Sequence, residues 1–128
     1  MNTTAQARAA YGAAPLTLRT GRSAEYQVFA DVTARLRAAA TAAQADFPRL
    51  AAAVHDNRRL WTHLAADVAD GDNALPQALR AQIFYLAEFT DHQSQRILRG
   101  EAGAGALIDI NLAIMRGLTD GQRAHGVA

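Results

Sequence analysis

The chain has 128 residues, with 13 basic and 12 acidic groups, a formal net charge of +1 and no cysteine. That length fits one domain, the balanced charge argues against a general polyanion-binding field, and the missing thiols remove disulfides, thiol catalysis and cysteine-ligated zinc. All the basic residues are arginine and 31 residues are alanine, so helix is favoured throughout, while few large apolar side chains are left to hold a core.

The opening "MNTTAQARAAYGAAPLTLRTGRS" has no basic start followed by an apolar run, and no stretch approaches the roughly 18 apolar residues of a membrane helix. The expectation is a soluble chain that is not exported by a cleaved signal and has no membrane partner. Small, polar and punctuated by Gly12, Pro15 and Gly21, residues 1–22 read as a weakly ordered arm or as an extended strap lying on the rest.

From Ser23 the pattern becomes helical. Tyr26, Phe29, Val32, Thr33, Leu36, Ala40 and Ala43 recur at three and four residues, the period of one helix face. In "QADFPRL", Asp46 is placed to cap a second helix, with Pro48 tolerated in its first turn. That helix runs to about Ala69, with Leu50, Val54, Asn57, Trp61, Leu64 and Val68 on one stripe. "DGDNALP" ends it, and Pro76 stands near the start of a third helix that extends to Arg99, where Gly100 makes a stop. The third stripe is Leu79, Ile83, Leu86, Thr90 and Ile97. Tyr85 and Phe89 fall on one flank of it, Phe84 and Leu98 on the other.

"LIDINLAIMRGL", Leu107 to Leu118, makes the last helix. At about 100° per residue its large apolar side chains cover roughly 200° of the circumference, about twice the stripe of an ordinary surface helix. Residues 119–128 read as a flexible tail. No alternating run of strand length occurs, so the expected class is all-α: a small antiparallel bundle of about four main helices over residues 23–118.

Little points to chemistry. His63 and Asp67, and Glu88 and His92, are i,i+4 pairs of the kind that chelate zinc. On antiparallel helices, however, the two pairs sit about nine residues apart, or ~13 Å of rise, so the histidines read as solvated and no metal is assigned. No nucleophile with its base, phosphate-cradling loop or paired-carboxylate site is present; neither an enzyme nor a cofactor is expected. Trp61, the one tryptophan, reads as a core anchor. Beside it Arg58 calls for a carboxylate more than for RNA. Asn57, Thr90 and Asn111 are polar residues on apolar stripes, and the reading favours their satisfying one another inside the bundle.

Together these residues carry a resemblance. His55 to Leu118, with "NRRLW", "NALP", "LRAQI", "FT", "HQS", "LIDIN" and "IMRGL" in order, resembles the FlaF family of flagellar biosynthesis proteins of alphaproteobacteria, and "SAEYQVFADVTARLRAA" resembles that family's first helix. "DHQSQRIL" departs slightly from the family's usual adjacency of His and Ser, at an exposed turn of helix. The resemblance implies a cytoplasmic protein needed for flagellin production and export, acting on flagellin as a secretion chaperone and opposing a companion regulator, FlbT. Flagellin's amphipathic terminal helices then suit the wide apolar arc, by helix-in-groove packing. The expected division places Leu107, Ile110, Ile114 and Leu118 inside and leaves Ile108, Leu112 and Met115, with Phe84 and Leu98, to receive flagellin, although either flank could be the inner one. The alternative is a post-transcriptional regulator of flagellin acting through RNA, which the charge disfavours, or through FlbT. An empty apolar groove could also be closed by self-association.

Overall fold

The computed structural model describes the backbone of residues 15–127 and the side chains of residues 24–117. The chain forms four helices, α1 (Pro15–Thr41), α2 (Phe47–Ala69), α3 (Gln77–Leu98) and α4 (Gly105–Val127). Two ends differ from the sequence boundaries. Helix α1 begins at Pro15, not Ser23, because proline suits a first helical turn and the segment after it holds no second proline and a single glycine, Gly21. Likewise α4 continues past Leu118 through the segment read as a flexible tail, since glycine weakens a helix without stopping it. The first 14 residues of the arm lie outside the described residues.

Each inner helix end has a local cause. The Asp46 side chain accepts a hydrogen bond from the Arg49 amide, and Pro48 occupies the first turn of α2. Between α2 and α3, Asn73 donates to the Asp67 carbonyl and accepts from the Leu75 amide, the side-chain turn that asparagine favours. Helix α3 ends in a Schellman motif, with Gly100 donating to the Ile97 carbonyl and Glu101 to that of Arg96. Gly100 holds φ at +77°, and its surroundings are open, so Gly100→Ala is strained by backbone alone. It should cost about 1–2 kcal/mol, read as a lower urea midpoint with an unchanged slope.

Short connections fold the helices up and down. The Arg35–Asp56 pair ties α1 to α2 and Arg58–Asp91 ties α2 to α3, both at levels that require antiparallel neighbours. Helix α1 packs against α2 and α4, and α2 packs most extensively on α3, while α3 and α4 touch least. The ring of four helices therefore has one loosely closed side.

The core is built in storeys. Leu36, Ala39, Leu50, Val54, Ile97, Ala104 and Leu107 fill the end nearest the α1–α2 and α3–α4 turns. Phe29, Trp61, Leu64, Val68, Ile83 and Ala87 fill the other end, where the Phe29 and Trp61 rings meet edge to face with centroids 5.8 Å apart. Between them every helix contributes a buried polar residue: Thr33, Asn57, Thr90 with Ser94, and Asn111. The α3 stripe is corrected accordingly. Its buried line is Ile83, Ala87, Thr90, Ser94 and Ile97; Leu86 is half-buried and Leu79 is exposed.

Candidate docking cleft

Asn111 joins three helices. Its carbonyl accepts from Trp61 Nε1 at 2.9 Å, and its amide donates to Asn57 Oδ1 at 2.8 Å and to Thr33 Oγ1 at 3.1 Å. The carboxamide thereby pins α4 to α1 and α2. None of these three bonds reaches α3. Thr90, grouped with the two asparagines from sequence, stands apart: its Oγ1 and the Asn57 Nδ2 are buried without a hydrogen-bond partner, while its carbonyl accepts from Ser94 Oγ.

With α4 pinned to α1 and α2, a cleft of about 340 Å³ opens between α3 and α4 near the α2–α3 turn. Leu79, Ile83 and Leu86 form its α3 wall; Ile114, with Ala113 and Gly117, forms the α4 wall. Phe29, Leu64 and Val68 make the floor, and Leu75 on the turn overhangs one end. The cleft is mostly apolar; its polar edge is Glu25, Asp67, Asn73 and Gln82. Glu25 is itself buried and has a partner, and Asp67 lies 3.7 Å from His63.

Beyond the cleft mouth the apolar surface continues on α3. Phe89 lies two turns past Gln82 on the same flank, with Tyr85 beside it. Of the five exposed large apolar side chains among the described residues, four sit within residues 79–89: Leu79 at 40%, Phe84 at 42%, Tyr85 at 66% and Phe89 at 39% relative exposure. Leu79 and Phe89 share the cleft flank of α3 with Tyr85 beside Phe89, and apolar side chains grouped on one flank mark a surface with an unused contact.

The expected receiving face is redrawn by these positions. Ile108 and Leu98 pack against the first core cluster, because the short α3–α4 turn brings the end of one helix and the start of the other over the same core. Met115 packs against the second cluster, and Leu112 is half-buried outside both. Leu107 is fully buried, as expected. Ile110 and Ile114, assigned to the inner flank, are only partly buried against the second cluster, and Ile114 lines the cleft. Leu118 has no described side chain. Phe84 lies on a different groove, between α2 and α3, beside Arg58 and Glu88.

There Arg58 finds the carboxylate that its position called for, donating from Nε at 3.0 Å and Nη2 at 2.7 Å to Asp91 Oδ1. His55, His63 and His92 are exposed, and no group of three metal-ligating side chains occurs among the described residues. No described helix is long and apolar enough to cross a membrane. Sequence reasoning missed Leu79 as a cleft wall and Ala113 and Gly117 as wall residues. The i,i+4 spacing of the latter two small residues, beside the apolar arc, was the available signal.

No curated protein and no solved structure matches the chain. The family model described as flagellar protein FlaF matches residues 7–118, which takes in all of α2 and α3 and every described residue of the cleft. The chain belongs to the FlaF family of flagellar proteins.

Proposed function

We propose that this protein is a cytoplasmic chaperone of flagellin that holds an amphipathic terminal helix of its client in the α3–α4 cleft before export. One observation carries the reading: in a flagellar protein, the loosely closed side of the bundle is an apolar cleft whose α3 wall continues into exposed Phe89 and Tyr85. A client helix would lay its apolar side chains, spaced at i, i+3, i+4 and i+7, between Leu79, Leu86 and Ile114. Flagellin helices that must pack in the filament would be kept from packing early. The client's burial would also stabilise the chaperone by mass action.

The test is to mix the protein with monomeric flagellin from the same organism, follow the complex by gel filtration and calorimetry, and repeat with flagellin lacking either terminal region. A stoichiometric complex that disappears with one terminus is the expected result. Absence of a complex at micromolar concentrations, with FlbT or flagellin leader RNA binding instead, would reject the chaperone reading.

A further inference from the structure

The chain enters the bundle beside the open end of the cleft. Helix α1 starts at Pro15, and fourteen residues precede it in the sequence. Because α1 runs antiparallel to α2, Pro15 stands at the same end of the bundle as the α2–α3 turn, where Leu75 overhangs the cleft. Glu25, on the cleft edge, is ten residues further along α1, or ~15 Å of helix rise. Fourteen residues reach up to ~46 Å when extended, so the segment before Pro15 is long enough to turn back and cover the cleft of its own molecule.

The sequence of that segment suits the place. Ala7, Ala10, Tyr11 and Ala14 recur at i, i+3, i+4 and i+7, one apolar face of a helix. That is the spacing by which a helix fills an apolar groove. A helix also brings no unpaired backbone group into the cleft, whereas an extended peptide would. Alanine favours helix, but two turns alone are marginal in water and need a surface to hold them. The charges are complementary as well: residues 1–14 contain Arg8 and no acid, while the two charged groups on the cleft, Glu25 and Asp67, are both carboxylates. Each of these has a partner already, so the attraction is that of an acidic edge for a cation and not a new ion pair. A separate observation concerns the family match, which does not begin with the bundle: it starts at residue 7 and takes in the whole stripe.

We infer that residues 7–14 dock as a short helix in the α3–α4 cleft of their own chain and compete there with the client. By composition they are a weak occupant, since three alanines bury little surface and Tyr11 is the one large side chain. Their advantage is the tether, which gives an effective concentration of the order of millimolar. A client helix with large apolar side chains on the same spacing displaces them. The competition rests on the reading that the cleft receives a flagellin helix; the docking of the arm does not.

The experiment uses the full chain. A photo-crosslinking amino acid at position 11, with the adduct mapped by mass spectrometry, should join to Leu79, Leu86 or Ile114 within one molecule, and excess flagellin should suppress that adduct. In calorimetry, Tyr11→Asp should bind monomeric flagellin about threefold more tightly than the unaltered chain, the ratio expected when the arm covers the cleft in about two molecules of three. An adduct on Phe84 in the α2–α3 groove, an adduct between molecules, or none on the cleft overturns the inference, as does a Tyr11→Asp affinity that is unchanged or weaker. If flagellin binds neither chain, the chaperone reading fails, and the adduct alone decides whether the arm docks.

Discussion

Asn111→Ala should destabilise the protein by about 3–5 kcal/mol, the sum expected when several buried polar groups lose their partner at once. The substitution removes the acceptor of Trp61 Nε1, the donor to Asn57 Oδ1 and the donor to Thr33 Oγ1. The threonine hydroxyl can turn to its own helix backbone, but the indole N–H and the Asn57 carbonyl oxygen, both buried, cannot recover what they lose. A folded domain holds only about 5–15 kcal/mol in total, so a large part of the stability rests on this one carboxamide. Urea unfolding followed by circular dichroism measures it: the midpoint should fall steeply with an unchanged slope. A loss under about 1 kcal/mol would mean that the three bonds contribute no more than one ordinary hydrogen bond, and the pinning of α4 would lose its basis.

Leu79→Glu should act on binding and spare folding. Leu79 is 40% exposed at the rim of the cleft, so a glutamate there stays in water in the free protein and the unfolding midpoint should shift by no more than about 0.5 kcal/mol equivalent. When a client helix covers the rim, the carboxylate is desolvated against apolar side chains, and the loss should reach at least about 2 kcal/mol, or roughly 30-fold in Kd. Phe47→Glu is the matched control. Phe47 is also exposed, at 41%, but it starts α2 at the opposite end of the bundle, where an acid suits the helix N-terminus. Its affinity for flagellin should be unchanged. Equal losses in the two variants would indicate a general effect of charge and not a cleft.

The four helices were legible because their stops are chemical: Asp46 with Pro48, the Asn73 turn and Gly100 each announce an end that the structure places within a residue or two. Asn57 and Asn111 were legible as polar breaks in apolar stripes, and they do bond to each other. The orientation of α4 was not. An apolar arc of about 200° says that two flanks have contacts, but which flank faces α1 and which faces the open side depends on how the neighbouring helices are arranged, and periodicity within one helix carries no such information. The structure buries Leu107, packs Ile108 over the first core cluster and sets Ile114 both against the second cluster and on the cleft, so the two flanks do not divide into an inner and an outer one. Leu79 misled for a related reason. It shares the spacing of Ile83 and Leu86, yet it lies in the first turn of α3 at the open end of the cleft, so the stripe runs out of the core into the cleft wall. Ala87 and Ser94 took buried places on α3 that a search for large apolar residues passes over.

A photo-crosslinking amino acid placed at position 79 and, separately, at position 47, in the presence of monomeric flagellin, reads directly whether the client sits in the α3–α4 cleft. The expected result is a crosslink from position 79 that maps within a terminal helix of flagellin, and none from position 47. A flagellin complex that crosslinks from position 47 and not from position 79 would contradict it, because the client would then sit on a surface other than the α3–α4 cleft.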